Sequence, residues 1–330
     1  MNKADIKKIL VISLSNIGDV VLTFPVIDVL SRDFPDARLD VVIGPKGESL
    51  LKGNPRITRL YLYRKRQPGL LMLRWMIELW RDRYDLVVDL RHTALPFLIA
   101  PRYRTALLQV RKKDQHMRLQ HLGRLKAIHP FSAGTPEKTA IFISEEDRAF
   151  IDCRVRNKIP VDKSLLVVSP GAAAENKRWH EEGFAKICDV LVERHSAAIV
   201  FVGDGNDTPV VGRIASRMRH PALDLSGQTT LTQLAYLMSS CSLVVTNDSA
   251  PMHIASYGNV PVVALFGPTD PAKYGPWSSM SFIVKKENAC PVCAGMSGAD
   301  EHQCLRSLTV EDVLKVMQPL FPGVMNAARP

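Results

Sequence analysis

The amino-acid sequence predicts an α/β protein of two domains, each built on its own doubly wound parallel sheet. Apolar runs of strand length alternate with amphipathic segments of helix length along both halves of the chain, which is the pattern of parallel α/β sheets. The length of 330 residues points the same way, since domains usually contain about 100–200 residues. Length and pattern together predict domains over residues 1–160 and 161–330.

Nine runs are predicted strands. The first half contains ILVISL, RLDVVI, TRLYLY and DLVVDL, with KTAIFIS later, and the second contains LLVVSP, AAIVFVG, SLVVTND and VPVVALFG. Between the halves, EEDRAFIDCRVRNKIPVDKS reads as a helix closed by Pro160, which places the boundary near residue 160. The tail SLTVEDVLKVMQPLF predicts a helix with Thr309 as its N-cap.

Composition excludes several classes of protein. No window approaches about 18 uninterrupted apolar residues, and the N-terminal MNKADIKKIL has no signal-peptide pattern. The six cysteines form no disulfide framework in a chain of this length, which fits a reducing compartment. We therefore expect a cytoplasmic protein.

The positive charge is concentrated in the first half. Residues 1–160 contain 29 Lys and Arg against 17 Asp and Glu, whereas residues 161–330 contain 14 against 16. This asymmetry favours a polyanionic partner, such as an anionic membrane surface or a phosphorylated glycolipid, over a merely basic soluble surface. Nucleic acid is the weakest candidate, because no recognition helix or stacking motif accompanies the charge.

Two segments carry much of this charge. Residues 69–83, preceded by RKR, predict a basic amphipathic helix, which either lies on an anionic bilayer or packs its apolar stripe on the sheet. Residues 102–126 hold eight Lys and Arg and one acid, and we expect a loop whose arginines bind phosphates.

The stretch SNIGDVVLTFP follows the first predicted strand, where a nucleotide-binding Rossmann fold would carry its phosphate-binding glycines. It holds one glycine and then Asp19. A carboxylate at the carboxyl end of a strand can accept a proton from a bound hydroxyl group. The alternative is that Asp19 caps the following helix.

The second half carries an anion site of its own. Lys177 and Arg178 stand near the carboxyl end of a strand, where open α/β sheets bind ligands, and suit a diphosphate. In VVTNDSAPMHIAS, Asp248 or Ser249 caps a helix whose N-terminal N–H groups form a second anion site. For Asp248 and Ser249, the alternative to ligand binding is a capping role alone. For His253, the alternative to a ligand contact is a structural role.

SNIGDVVLTFPVIDVL, GAAAENKRWHEEGFAKI, DLSGQTTLTQLAYLMSSCSLVVTNDSAPMHIAS and PVVALFGPTDP together resemble glycosyltransferase family 9, the ADP-heptose:lipopolysaccharide heptosyltransferases and their relatives. The resemblance implies a GT-B fold, with two Rossmann-like domains facing a central cleft. It implies ADP-heptose in the C-terminal domain, the lipopolysaccharide inner core on the N-terminal domain, and an inverting, metal-independent transfer. It also implies that the last helix, about residues 309–320, crosses back to the first domain.

The resemblance assigns roles to residues of this sequence. Asp19 matches the catalytic base of the family's Gly-Asp motif, and the family's Asp-Thr-Gly is here Asp-Ser-Ala. The expected donor-binding residues are Lys177, Arg178, Thr230, Asp248, Ser249, Ala250 and His253. The expected acceptor-binding residues are Gly18, Arg91, Arg111, Lys112 and Lys113.

The segment CPVCAGMSGADEHQCL is a candidate structural zinc site. Cys290 and Cys293 have the spacing of a zinc knuckle, and His302 or Cys304 completes a tetrahedral set. Because a second Cys-X-X-Cys pair is missing, plain loop thiols are the alternative. No cofactor is expected for catalysis beyond the donor itself.

These observations predict a heptosyltransferase of lipopolysaccharide core assembly, working at the cytoplasmic face of the inner membrane of a Gram-negative bacterium. Its expected partners are a nucleotide-sugar donor, a glycolipid acceptor and the anionic membrane surface, without nucleic acid. One alternative is a family 9 transferase with another nucleotide sugar or a protein acceptor. The other is a non-catalytic protein that binds nucleotide sugars or polyanions.

Overall fold

The computed structural model describes residues 3–64, 69–107, 115–132, 137–160, 162–286, 305 and 307–320. The chain divides into two compact units, Met1–Phe142 and Ile143–Pro330. Each unit holds one sheet with parallel strand pairing. The predicted α/β class with two doubly wound domains is therefore confirmed.

The first unit contains a five-stranded sheet. Strands β1 to β5 are Lys8–Ile12, Arg38–Ile43, Arg59–Leu62, Leu86–Asp89 and Tyr103–Arg104. Helices α1 to α6 are Ile17–Val21, Phe24–Asp33, Glu48–Leu51, Gly69–Arg81, Leu95–Leu98 and Met117–Lys126. The strand order β3-β2-β1-β4-β5 places a topological switch point between β1 and β4, which is where open α/β sheets bind ligands.

The second unit contains a six-stranded sheet. Strands β6 to β11 are Ser164–Ser169, Ala197–Phe201, Leu223–Asp224, Leu243–Asn247, Val262–Leu265 and Ser281–Val284. Helices α7 to α13 are Glu145–Arg156, Glu181–His195, Thr208–Arg217, Leu231–Ser239, Ala250–Gly258, Pro271–Tyr274 and Val310–Met317. The order β11-β10-β9-β6-β7-β8 is that of Rossmann folds, with the switch point between β6 and β9.

The central strands are apolar throughout because helices cover both faces of each sheet. Every residue of β4 and β9 is buried, and the largest fully enclosed side chains include Phe24 of α2 and Phe184 of α8. The described residues also form four single turns of 3₁₀ helix: Lys3–Asp5, Pro45–Gly47, Glu175–Lys177 and Gln318–Leu320. In the described part of the chain, no helix combines the length and the apolar character that crossing a bilayer requires.

The prediction of a strand at KTAIFIS is wrong, because side chains of the first unit occupy the backbone groups that a strand would pair. Asp28 Oδ1 accepts hydrogen bonds from the N–H groups of Thr139 and Ala140, at 2.8 and 3.0 Å. Asn54 Nδ2 donates to the carbonyl oxygens of the same two residues, at 2.7 and 2.9 Å. The segment is irregular and is held by a buried carboxylate and a buried amide.

The prediction of a loop over residues 102–126 is also wrong in part, because this segment contains β5 and α6. His116 is the N-cap of α6 and its ring accepts a hydrogen bond from Arg118 N. Leu125 is fully buried, and α6 contacts α2. A few buried positions are therefore enough to hold this basic helix on the domain.

The two units divide at Phe142 and Ile143, earlier than the predicted boundary near residue 160. The reason is that α7 packs on α10 of the second unit. Tyr236 donates a hydrogen bond to Asp152 at 3.1 Å, and Arg154 donates to Gln228 at 2.8 Å.

The predicted C-terminal helix is confirmed as α13. Thr309 is its N-cap, with a capping box to Asp312. Within its own unit, α13 packs on α8 and β11. Its crossing back to the first domain stays a prediction.

Candidate functional site

Asp19 lies in the first turn of α1, just beyond the carboxyl end of β1. The N-cap of this helix is Asn16 rather than Asp19, so the capping alternative does not describe the structure. Asn16 Nδ2 donates to Asp19 Oδ2 at 3.1 Å, and among the described residues no other group hydrogen-bonds this half-buried carboxylate. Gly18 precedes it in the same turn. Asp19 is thus fixed at the switch point with free acceptor capacity.

Arg91 lies at the same switch point, in the loop after β4. Its Nη1 donates to Ser15 Oγ at 2.9 Å, and its guanidinium stacks over the Tyr63 ring at 4.6 Å. The backbone after β2 also approaches closely, since a Cβ at Gly44 would lie 2.7 Å from Ser15 Cα. The structure therefore brings the loops after β1, β2 and β4 together and holds a cation beside the Asp19 loop.

The loop that carries Arg91 is organised by Asp89, the last residue of β4. The carboxylate of Asp89, which is 1% exposed, accepts hydrogen bonds from Arg91 N at 2.8 Å and Thr93 N at 2.6 Å. The buried guanidinium of Arg124 donates to Asp89 O at 2.9 Å and contacts the His92 ring. Sequence reasoning missed Arg124, because an arginine in a basic segment is typical of a solvated surface.

In the second unit, the central feature is an ion pair at the switch point of the sheet. Lys177 Nζ lies 2.7 Å from Asp248 Oδ2. Lys177 belongs to the loop after β6, and Asp248 follows β9 directly. The lysine side chain is 32% exposed and the aspartate side chain 6%, so the buried carboxylate fixes an ammonium group that solvent still reaches.

Asn247 joins the same two loops. Its side chain is fully buried, accepts a hydrogen bond from Trp179 N at 3.2 Å and donates one to Pro170 O at 2.7 Å. Gly171 in this loop has no room for a side chain, since a Cβ would lie 2.2 Å from Asp207 Oδ2. The sequence indicated Asn247 only as the end of a strand, and its bridging role depends on the strand order.

Helix α11 begins beside the ion pair. Its N-cap Ser249 makes no side-chain capping hydrogen bond, and its hydroxyl lies 3.2 Å from the Thr246 hydroxyl instead. The backbone N–H groups of the first turn of α11, beginning with Ala250, are therefore not capped by the Ser249 side chain. Pro251 in this turn has no N–H group. His253, one turn further on, is 5% exposed, and its ring lies 5.9 Å from Trp277.

Arg178 helps to shape the loop after β6. Its Nε donates to Ala172 O at 2.9 Å, and Nη2 lies 3.8 Å from Asp207 Oδ1. Burial raises the pKa of the Asp207 carboxyl above its ordinary value. Arg178 is thus engaged within its own loop, whereas the ammonium of Lys177 is shared with one carboxylate.

Thr230 lies after β8, at the start of α10. Its hydroxyl accepts a hydrogen bond from Gln233 N at 3.2 Å, and the Gln233 side chain accepts one from Thr230 N at 3.0 Å. This capping box gives Thr230 a structural role. Its predicted contact with the donor stays a prediction.

Two groups of predicted residues lie outside the described part of the chain: Arg111, Lys112 and Lys113, and the cysteine segment with Cys290, Cys293, His302 and Cys304. Within the described ranges, no group of three or more His, Cys, Asp or Glu residues could hold a metal ion. The structural zinc site stays a prediction.

Comparison with known proteins places this geometry in a family. The model of glycosyltransferase family 9 (heptosyltransferase) matches residues 103–302. Lipopolysaccharide heptosyltransferase 3 of Escherichia coli is 28% identical over 290 residues, covering 79% of this chain and 84% of that protein.

Solved structures extend the likeness over nearly the whole chain. The glycosyl transferase family 9 protein from Veillonella parvula has a TM-score of 0.81 at 24% identity, covering 97% of this chain and 98% of that one. The E. coli ADP-heptose lps heptosyltransferase II has a TM-score of 0.73 at 23% identity, covering 95% and 98%. The predicted GT-B fold class is confirmed by these likenesses.

Proposed function

This chain belongs to glycosyltransferase family 9, and we propose that it transfers heptose from ADP-heptose to a sugar of the lipopolysaccharide inner core. The relatives named above support the donor and the acceptor, because their names specify ADP-heptose and lipopolysaccharide. The observation that carries the proposal is Asp19, a carboxylate held at a switch point by one hydrogen bond from Asn16 and otherwise free to accept.

Asp19 is the general base in this proposal. As the acceptor hydroxyl oxygen attacks the anomeric carbon, its proton passes to Asp19, and the bond from that carbon to the diphosphate oxygen breaks. ADP leaves with the bonding electrons, and attack from the opposite side inverts the anomeric centre. The Asn16 hydrogen bond orients the carboxylate and leaves its other oxygen for the acceptor.

The charge that develops on the departing diphosphate needs a positive potential. Lys177, fixed by Asp248 at 2.7 Å, supplies a full charge, and the first N–H groups of α11 supply a partial one. Together they act as electrostatic stabilisation of the leaving group. We therefore propose that transfer needs no metal ion, and that excess EDTA leaves the initial rate unchanged.

The acceptor side is proposed to use cations of the first unit. Arg91 stands beside the Asp19 loop, and Arg111, Lys112 and Lys113 belong to the same basic half of the sequence. Guanidinium groups bind phosphates in bidentate fashion, which suits a phosphorylated inner core. The proposed location is the cytoplasmic face of the inner membrane of a Gram-negative bacterium, against an anionic membrane surface.

The decisive variant is Asp19→Asn, assayed by mass spectrometry of heptose transfer to a de-acylated core oligosaccharide. We expect the rate to fall by about 10²–10⁴-fold, the usual contribution of a general base. ADP affinity, measured by calorimetry, should be unchanged because Lys177 and α11 lie in the other unit. Asp36→Asn, which alters an exposed carboxylate of the first unit, is the matched control and should retain full activity.

The same calorimetry tests the donor. Selective binding of ADP over UDP and GDP is the expected result. Preference for another nucleotide would indicate a family 9 transferase of a different sugar. Full activity of Asp19→Asn would remove the proposed mechanism, and absence of any nucleotide binding would favour a non-catalytic polyanion-binding protein.

A further inference from the structure

Helix α4 is anchored on the first sheet by one of its faces. Leu79 is fully buried in the core of the first unit, together with Leu10 of β1 and Val87 of β4. The Trp75 ring lies 6.0 Å from the Tyr63 ring and packs against the same core. This is the second of the two alternatives raised by the sequence, and it accounts for only part of the apolar surface of the helix.

A second row of apolar side chains runs along the outside of α4. Leu70, Leu73, Ile77 and Trp80 are 79%, 53%, 40% and 58% exposed. Their spacing of three, four and three residues places them on one face of a helix. This row, here named the α4 stripe, is about 15 Å long at 1.5 Å per residue. A helix that is apolar on its outer as well as its inner face implies a second contact surface.

The rim of the α4 stripe carries unpaired positive charge. Arg74 and Arg81 line the same groove as Leu70, Leu73 and Ile77, and neither forms an ion pair with a described residue. The acids of that groove are both paired: Arg59 lies 3.8 Å from Glu78 and 3.3 Å from Asp82. Free arginines beside an apolar face are complementary to a surface that is anionic outside and apolar beneath.

The chain on either side of α4 adds to this charge. Arg64, ahead of the helix, and Arg83, two residues past its end, are exposed and form no ion pair within the described ranges.

We propose that the α4 stripe docks this protein on an anionic phospholipid bilayer, an inference that rests on the proposed function in assuming a glycolipid acceptor embedded in the membrane. The apolar side chains would enter the boundary between headgroups and acyl chains, and the arginines would contact lipid phosphates. Because Leu79 and Trp75 hold the inner face, docking requires no unfolding of the helix.

A second copy of the chain fits the stripe less well. In a symmetric dimer the same patch lies on both partners. Because Arg59, Arg74 and Arg81 outnumber Glu78 and Asp82 in this groove, two like-charged patches would meet. A nucleic acid also fits poorly, since Trp80 is the single aromatic residue of the stripe and base stacking needs an aromatic platform.

The test is sedimentation of the full-length protein with vesicles. One set of vesicles mixes phosphatidylglycerol with phosphatidylethanolamine, and the other contains phosphatidylcholine alone. The stripe variant is Leu73→Gln/Ile77→Gln, and the charge variant is Arg74→Gln/Arg81→Gln. The matched control, Met280→Gln/Ile283→Thr, changes two exposed apolar residues of the second unit.

We expect the wild type to bind the anionic vesicles and to bind the neutral ones much more weakly. The stripe variant should bind at least about tenfold more weakly, and the charge variant about fivefold more weakly for each arginine removed. The control should bind like the wild type. The tryptophan emission of the wild type should shift to the blue on anionic vesicles, and Trp80→Phe, which keeps the other three tryptophans, should lose most of this shift.

Three results would overturn the inference: no binding of the wild type to anionic vesicles, undiminished binding of the stripe variant, or equal binding to both vesicle types. A dimer in sedimentation velocity that the stripe variant alone dissociates would also overturn it, in favour of a second copy. Transfer to the de-acylated core oligosaccharide needs no membrane. If that transfer proceeds while vesicle binding fails, the docking surface is wrong and the proposed function stands.

Discussion

The pair of Lys177 and Asp248 gives the sharpest test of the donor site, because its two members should respond differently to substitution. In the proposed donor site, Lys177 binds the diphosphate, and Asp248 holds the Lys177 ammonium group at 2.7 Å. Lys177→Met removes the charge on which the proposed contact with the diphosphate depends. Asp248→Asn keeps an oxygen that can still accept from Lys177 Nζ.

The expected magnitudes follow from exposure. Removing one partner of a fully buried ion pair lowers the free energy of unfolding by about 3–5 kcal/mol. Removing one partner of an exposed ion pair lowers it by about 0.2–1 kcal/mol. Asp248 is 6% exposed and Lys177 32%, so Lys177→Met should cost about 1–3 kcal/mol and lower Tm by several degrees. Asp248→Asn leaves no unpaired buried charge and should cost less.

Binding should separate the two variants more clearly. A charge-assisted hydrogen bond contributes about 1.5–3 kcal/mol, so Lys177→Met should raise the Kd of ADP by about 10–150-fold. Asp248→Asn should change it by less than about threefold. Calorimetric titration of ADP at low and high salt measures both, and the effect of Lys177→Met should shrink at high salt.

Lys186 is the control, because it forms an exposed ion pair with Glu182 at 2.8 Å, with side chains 60% and 67% exposed. Lys186→Met should alter neither Tm nor ADP affinity appreciably. Equal losses of affinity in Lys177→Met and Asp248→Asn would refute the division of roles, since Asp248 would then contact the nucleotide itself. An unchanged Kd in Lys177→Met would refute the phosphate contact.

Three further predictions concern the supports of the two sites. Gly171→Ala should lower the free energy of unfolding by about 1–3 kcal/mol through overpacking, because the new Cβ would lie 2.2 Å from Asp207. Gly205→Ala, which has open space around its Cβ, should melt like the wild type in the same thermal unfolding experiment. Burial raises the pKa of the Asp207 carboxyl. Its protonated form therefore stabilises the fold fully below the ordinary pKa of about 4, and this stabilisation is lost as pH rises through the raised pKa. Asp207→Asn should raise Tm at pH 7 and have little effect on Tm near pH 3.5, and a lower Tm at pH 7 would contradict this prediction. Asp28→Ala should lower the free energy of unfolding by about 2–4 kcal/mol, because it leaves one buried and one partly buried N–H group without their acceptor. Urea unfolding of Asp36→Ala, at an exposed position, should match that of the wild type.

The central strands were predictable from the sequence, and so was the edge strand β3, whereas the other three edge strands, β5, β8 and β11, were not. β1, β4, β6 and β9 are apolar runs because both faces are covered. β5 and β8 contain two residues each, too few to show any periodicity. KTAIFIS failed for a different reason, since its backbone is satisfied by side chains more than 80 positions away, at |i−j| of 85 to 112.

Orientation was harder to predict than position. The α4 sequence has apolar residues on most of its circumference, so periodicity gives a helix but does not say which side meets the sheet. Similarly, Lys177 and Asp248 were placed at two strand ends, but their ion pair depends on β6 lying next to β9. Such contacts follow from strand order, which a single sequence constrains only weakly.

The two switch points can be compared directly, because each sheet places the loop after its first strand beside the loop after its fourth. In the second unit the first loop brings a cation, Lys177, and the fourth an acid, Asp248, and the two charges meet. In the first unit the signs are reversed, with Asp19 on the first loop and Arg91 on the fourth.

Those two charges do not pair. Arg91 donates to Ser15 and stacks on Tyr63 instead, and Asp19 keeps only its hydrogen bond from Asn16 among the described residues. An ion pair with Arg91 would hold a carboxylate in its ionised form and lower its basicity. Holding Arg91 on Ser15 leaves the Asp19 carboxylate open for the proton acceptance proposed for it, and Ser15→Ala removes the hydrogen bond that holds the guanidinium on the loop after β1. The transfer rate of Ser15→Ala at neutral pH should therefore fall below that of the wild type, and an unchanged rate would contradict this role for Ser15.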